Sequence, residues 1–195
     1  MLPLLPGLVP EQAILLDERH RPDFRDVFGA LARRSSDIAT AVTRVRLSTV
    51  DLGPEELGDL RSFRVLISEV NAHTLDAEAF GLLHRPRRAP NVRLLTAMLE
   101  EGRLAVRAAP LGGWSPDFTV FSLDTGPAAV LMGFHWFERP YPHRGPALAS
   151  LHGADAARLA RARHDELWDV AHDVGPALWS ILARACTRTR PAAAG

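Results

Sequence analysis

The residues of this chain best suited to chemistry stand close together in Trp114–Gly145, WSPDFTVFSLDTGPAAVLMGFHWFERPYPHRG. His135, Trp136, Glu138, Arg139, Tyr141, His143 and Arg144 crowd its last third. Three chemistries fit these side chains. His135, with Glu138 as an orienting carboxylate, is a candidate nucleophile or general base for a hydrolase. His135, Glu138 and His143 follow a His-x2-Glu-x4-His order whose ligand types suit Zn or Fe. Pro140 and Pro142 exclude a helix that would gather them on one face, so no metal is assigned. Arg139 and Arg144, joined by Arg44, Arg46 or Arg107, can clamp a phosphate or carboxylate in bidentate fashion, while Trp114 and Trp136 offer faces for a base or sugar. A purely structural use competes with all three: His135 and Glu138 would satisfy buried backbone groups, Trp136 and Tyr141 would pack on the sheet, and Arg44, Arg46 and Arg107 would pair with acids on neighbouring strands.

Elements that could position these groups follow from the pattern of apolar residues. Phe118–Phe121 and Ala128–Phe134 are short aromatic and β-branched runs, and Asp124-Thr125-Gly126-Pro127 between them is turn-forming, which predicts an antiparallel hairpin. The polar cluster then leaves the second strand's carboxyl end, where open α/β sheets keep their clefts. Upstream, the spacing predicts a helix over Pro22–Arg34, a strand over Ile38–Leu47 with Arg44 and Arg46 near its exit, a short helix from Gly53 through Leu60, and a strand over Phe63–Ser68. An N-capped helix is expected over Thr74–His84 and a basic loop over Arg85–Pro90. A helix from Asn91 stops at Gly102, and Leu104–Ala108 is the next strand. Helices over Ala154–Val174 and Ala177–Ala185, separated by Gly175-Pro176, complete the chain. His164, Asp165, Glu166 and His172 fall on the first of these, a stripe read as core edge or a partner-helix surface.

Composition sets the outer bounds. With 195 residues, 47% of them apolar, and a formal charge of zero, the chain suits one compact domain and has no global pull toward nucleic acid or an acidic membrane. Any anion site must therefore be local. All 23 basic residues are arginine. Cys186 is the only cysteine, so an intrachain disulfide is excluded. The opening MLPLLPGLVP is apolar but broken by three prolines and lacks a basic flank, so neither a signal peptide nor a membrane span is expected, and a cytoplasmic location fits. A glycine-rich phosphate loop, a nucleophile elbow and an HExxH motif are all absent from the sequence.

The run Asn91–Pro140, NVRLLTAMLEEGRLAVRAAPLGGWSPDFTVFSLDTGPAAVLMGFHWFERP, resembles the phospholipase D superfamily, in which a helix ending in glycine precedes an edge strand and then the catalytic strand pair. RARHDELWDVA, Arg161–Ala171, is similar to that family's later helix, and the resemblance extends over about Ser36–Ala171. Family members carry His-x-Lys-x4-Asp and then a Gly-Ser-x-Asn-type turn. On the matching positions this chain has Ser115 for the nucleophilic histidine, Asp117 for the lysine and Ser122 for the aspartate, with Asp124 two residues on. Gly133-Phe134-His135-Trp136 stands where the small turn would be. Phosphoryl transfer of that kind needs the imidazole to attack and the ammonium to neutralise oxygens. A chain without lysine cannot supply the second group. One half-motif would also need a dimer to build a full site.

The resemblance implies an α/β fold, a mixed β-sheet sandwiched by helices with further helices at the carboxyl end. Its expected organisation is an N-terminal extension and helix over 1–35, a phospholipase D-like domain over 36–187 and a flexible tail over 188–195. The expected function is a non-catalytic module whose ligand contacts come from Trp114, Ser115, Asp117, Trp136, Arg139, His143, Arg144, Arg44 and Arg107. Its partners would be a phosphorylated small molecule, a nucleic acid, another protein or a second copy, with no cofactor and no membrane insertion. Alternatives are a divergent phosphodiesterase or nuclease using His135 and Glu138, and a structural subunit that self-associates through the hydrophobic C-terminal helix.

Overall fold

The computed structural model describes residues 14–17, 24–43, 53–68, 89–110, 117–133 and 148–188. They form, in chain order, β1 (Ile14–Asp17), α1 (Phe24–Ala32), β2 (Asp37–Val42), α2 (Pro54–Leu57), β3 (Ser62–Ser68), α3 (Ala89–Glu100), β4 (Leu104–Ala109), β5 (Phe118–Leu123), β6 (Gly126–Met132), β7 (Leu148–His152), α4 (Ala154–Val170), β8 (His172–Asp173) and α5 (Gly175–Arg188). The strands make one eight-stranded sheet in the order β1-β7-β6-β5-β2-β3-β4-β8. Pairing of β2 with β3 and of β3 with β4 is parallel; every other neighbour pair is antiparallel. A mixed sheet covered by helices on both faces is the α/β class expected.

Side-chain alternation sorts the sheet into two unequal faces. Ile38, Val42, Phe63, Val65, Ile67, Leu104, Val106, Phe121 and Leu131 point to one, where α1, α2, α3 and α5 add Phe28, Leu57, Met98 and Leu182. Phe28 meets Phe121 edge to face at 5.1 Å. Ala39, Ala41, Leu66, Phe118, Val120 and Val130 point to the other, which α4 covers with Ala157 and Leu167. Central β2 is therefore buried on both sides, and its one polar interior group, the Thr40 hydroxyl, bonds the Thr119 hydroxyl at 2.7 Å and the Phe118 carbonyl at 3.1 Å.

Tight connections close one end of the sheet. At the end of α3, Arg103 N–H reaches the Met98 carbonyl (2.8 Å) and Gly102 N–H the Leu99 carbonyl (3.2 Å), a Schellman cap with Gly102 left-handed at φ +71. Beside it, Ser36 N–H donates to Ser122 and Arg61 N–H to Ser36, lacing β2, β5 and the approach to β3.

Several expectations need correction. β2 stops at Val42, since Thr43 turns away to bond Asp117, and residues 44–47 of the expected strand lie outside the described residues. The hairpin turn is only Asp124-Thr125: Gly126 and Pro127 already pair with Leu123 and Ser122, and a register shift at Phe121/Ser122 accommodates them. The helix expected to reach Val174 ends at Val170, because Ala171 is extended and His172 and Asp173 pair with Ala108 and Arg107. Gly175-Pro176 opens α5 instead of separating two helices; the Asp173 carboxylate accepts the Gly175 N–H at 2.8 Å. β1 and β7 were not anticipated, and through them the sheet extends two strands beyond the hairpin. The helix expected over Thr74–His84 lies outside the described residues, as does the tail expected over 188–195 except for Arg188, which ends α5. Among the described residues, no helix is long and apolar enough to cross a membrane.

Candidate functional site

Strands β2, β3, β4 and β6 run in one direction, so Val42, Ser68, Ala109 and Met132 reach the same end of the sheet, where β5 begins at Phe118. The links 44–52, 69–88, 111–116 and 134–147 are attached there. A compact set of bonds holds this end together. Asp117 is only 2% exposed, and its Oδ1 accepts both the backbone N–H of Thr43 (2.9 Å) and the Thr43 hydroxyl. Its backbone carbonyl accepts the N–H of Gly133 (2.7 Å), which sits at φ +78, a conformation glycine adopts without strain. The Ser68 hydroxyl donates to the Thr43 carbonyl at 3.1 Å. Asp117 thus ties the ends of β2, β5 and β6, the first through its carboxylate and the last through its backbone carbonyl, and β3 joins them through Ser68.

Of the residues expected to carry catalysis or contact the ligand, the structure describes two. Asp117 is the first, turned into the fold as above. The second is Arg107, on the face covered by α4. Its Nη1 donates to the Trp168 carbonyl in the last turn of α4 at 2.9 Å, and its guanidinium lies 4.7 Å from the centre of the Trp168 ring. A cation at a helix C-terminus is favourably placed against the helix dipole. The expected pairing of Arg107 with an acid gives way to this contact. Arg44, Trp114, Ser115, His135, Trp136, Glu138, Arg139, His143 and Arg144 lie outside the described residues. Their links nevertheless start from the same strand ends: Arg44 follows β2, Trp114 and Ser115 join β4 to β5, and His135–Arg144 follow β6. Ser122 and Asp124, by contrast, stand at the opposite end of β5, where the Ser122 hydroxyl is 3.5 Å from Arg161 and Asp124 pairs with Arg61.

A second polar cluster was not read as one from the sequence. Arg161 of α4 pairs with Asp37 at the start of β2 and with Asp165 (3.2 Å), which also meets Arg64 of β3 at 3.0 Å. The Arg64 guanidinium stands 5.6 Å from the Trp168 ring centre, and that ring stacks on His164 at 5.5 Å. His164 is wholly buried, and neither ring nitrogen has a hydrogen-bond partner. Asp165 Oδ1 is 3.6 Å from Nδ1, beyond hydrogen-bond range. Burial pushes the imidazole pKa down to about 4; Asp165 opposes the shift, and Arg161 reinforces it. The ring is therefore neutral near pH 7. These groups fasten α4 to the sheet. Among the described residues no cluster of His, Cys, Asp or Glu could hold a metal ion.

No protein-family model matches this chain, and no curated protein sequence does. Solved structures do match in shape. One is Nuc from Salmonella typhimurium, a phospholipase D family member: 12% identity, 83% of this chain and 97% of that one covered, TM-score 0.51. Another is TrmBL2, an archaeal chromatin protein described as binding DNA in a novel mode: 13% identity, TM-score 0.50, with 88% of this chain but 58% of that one covered. At such identities the likeness is one of architecture. The sheet order, its helical layers and these neighbours together give the chain a phospholipase D-like α/β fold.

Proposed function

We propose that this chain is a phospholipase D-like module that binds a phosphate-bearing ligand, foremost a nucleic acid, at the ends of β2, β5 and β6 without cleaving it. The observation that carries the reading is Asp117. At the position where the resemblance calls for a lysine to neutralise phosphoryl oxygens, the chain has a carboxylate, buried and committed to Thr43. A binding role needs no such cation on the strand. It needs guanidinium groups on the adjoining links, for which Arg44, Arg139 and Arg144 are the candidates. Trp114 and Trp136 supply stacking faces, and Ser115 and His143 supply hydrogen bonds. Arg107 serves this site indirectly by holding α4. The fold it shares with a phospholipase D family member and with a DNA-binding chromatin protein supports this choice of ligand.

Fluorescence anisotropy with labelled single- and double-stranded DNA tests the proposal. Saturable binding that weakens with salt is expected, and Arg139→Ala should reduce affinity by about tenfold, the loss of one charge-assisted phosphate contact. The DNA and a chromogenic phosphodiester should remain intact with or without Zn or Mn. Turnover abolished by His135→Ala would favour instead the hydrolase with His135 as base and Glu138 as its orienting carboxylate. Absence of any saturable binding would remove the module reading.

A further inference from the structure

Among the described residues helix α4 alone covers its sheet face, and its outer side carries the two most solvent-exposed large apolar residues, Leu159 (75%) and Val170 (69%). They are eleven positions apart, about three turns, so they share one stripe along the helix. Between them on the same stripe lie Arg163 and Glu166, exposed and bonded to each other at 2.8 Å. The order Leu159, Arg163, Glu166, Val170 has spacings of four, three and four, those of a coiled-coil seam. It is also symmetric in a specific sense. Turned end for end about the midpoint between Arg163 and Glu166, the stripe places an apolar residue on an apolar one and each charge on its opposite.

We propose that this stripe is a self-complementary docking surface for a second copy of the chain, with the two α4 helices antiparallel. Leu159 then packs on Val170 of the partner subunit, and Arg163 pairs with Glu166 of the partner subunit, twice over by the two-fold axis. This is the geometry of an isologous interface, in which one patch meets itself. Arg163 and Glu166 exchange a bond within the helix for bonds across the axis, and Leu159 and Val170 leave water. The surface lies on the side of the sheet rather than at its ligand end, so the inference is independent of the binding function. It also moves the expected self-association from α5 to α4. Two apolar layers and two exposed ion pairs make a small contact, well under about 1,200 Å², and a dissociation constant on the order of 0.1 mM is expected.

Sedimentation of the full chain up to about 1 mM, where a dimer of that affinity predominates, tests this directly. The mass should rise from 21.4 kDa toward twice that value. Arg163→Glu, which presents two acids, and Glu166→Arg, which presents two bases, should each self-associate about tenfold or more weakly because like charges now face one another. An equimolar mixture of the two variants should dimerise again. That recovery discriminates, since neither variant regains the bond within its own helix. Leu159→Asp should remain monomeric with an unchanged circular dichroism spectrum. A wild-type chain that stays monomeric at the top concentration, or a mixture that fails to recover, overturns the proposal.

Discussion

His164 should give the fold a measurable acid sensitivity. Its ring is wholly buried, both nitrogens lack hydrogen-bond partners, and its pKa falls from 6.5 to about 4 on folding. Between those values the unfolded chain binds a proton that the folded chain refuses. The associated stability is intact above about pH 6.5 and is lost progressively as the pH falls toward 4. At pH 5 the unfolded imidazole is favoured by a factor of about 30, so roughly 2 kcal/mol disappears between pH 7 and pH 5, levelling off near 3 kcal/mol below pH 4. His164→Leu removes the titrating group while keeping an apolar occupant of similar size. Carboxylates elsewhere act on both proteins alike and cancel in the comparison. Urea denaturation of both proteins across this range should give curves that converge near pH 7 and separate by about 2 kcal/mol at pH 5, the variant being the more stable. Near neutrality the substitution should cost little, since it removes a buried N–H without a partner. Parallel curves, or an imidazole that titrates near 6.5 by NMR in the folded protein, would refute the reasoning.

Asp117→Ala should destabilise by about 2–3 kcal/mol in urea melts, because Thr43 loses a charged acceptor for two donors; Asp117→Asn should cost less. Phe121→Ala should cost about 3–5 kcal/mol, since the ring is 1% exposed and packs on Phe28 across the main core. Gly102→Ala should lower stability by about 1–2 kcal/mol through backbone strain alone, as the added methyl group meets nothing within 4 Å. Arg161→Met keeps the aliphatic stem but removes the link to Asp37 and Asp165; hydrogen exchange should then increase first in α4 and much less in α3.

Local rules made parts of this fold readable. The β5–β6 hairpin is announced by aromatic and β-branched runs around a turn, β2 and β3 by dense Ile, Val and Phe, and the end of α3 by Gly102. The missed strands lack such signals. β7, Leu-Ala-Ser-Leu-His, has little intrinsic strand preference and owes its state to pairing with β1 and β6, while β8 is only two residues long. His164 was equally hidden. Arg161, Arg163, Asp165 and Glu166 around it advertise a solvated helix, and only tertiary contact, with Ala39 and Ala41 small enough to admit α4, buries the ring. The site was legible in part. Sequence pattern located Asp117 at the start of the hairpin, but not its bonds to Thr43, a partner 74 positions earlier.

The two ends of this sheet have divided labour between them. Where Gly102 caps α3 and Ser36 bonds Ser122, the connections are only a few residues long and mutually braced, so an insertion would have to break a neighbour's bond. At the other end the longer connections start from strands already clamped by Asp117 and Thr43. On the proposed binding function, recognition would be rewritten by exchanging those connections wholesale while the scaffold stayed untouched. For anyone wishing to retarget this protein, randomised libraries belong on that rim, and the braced end is the place to attach a dye, a tag or a surface.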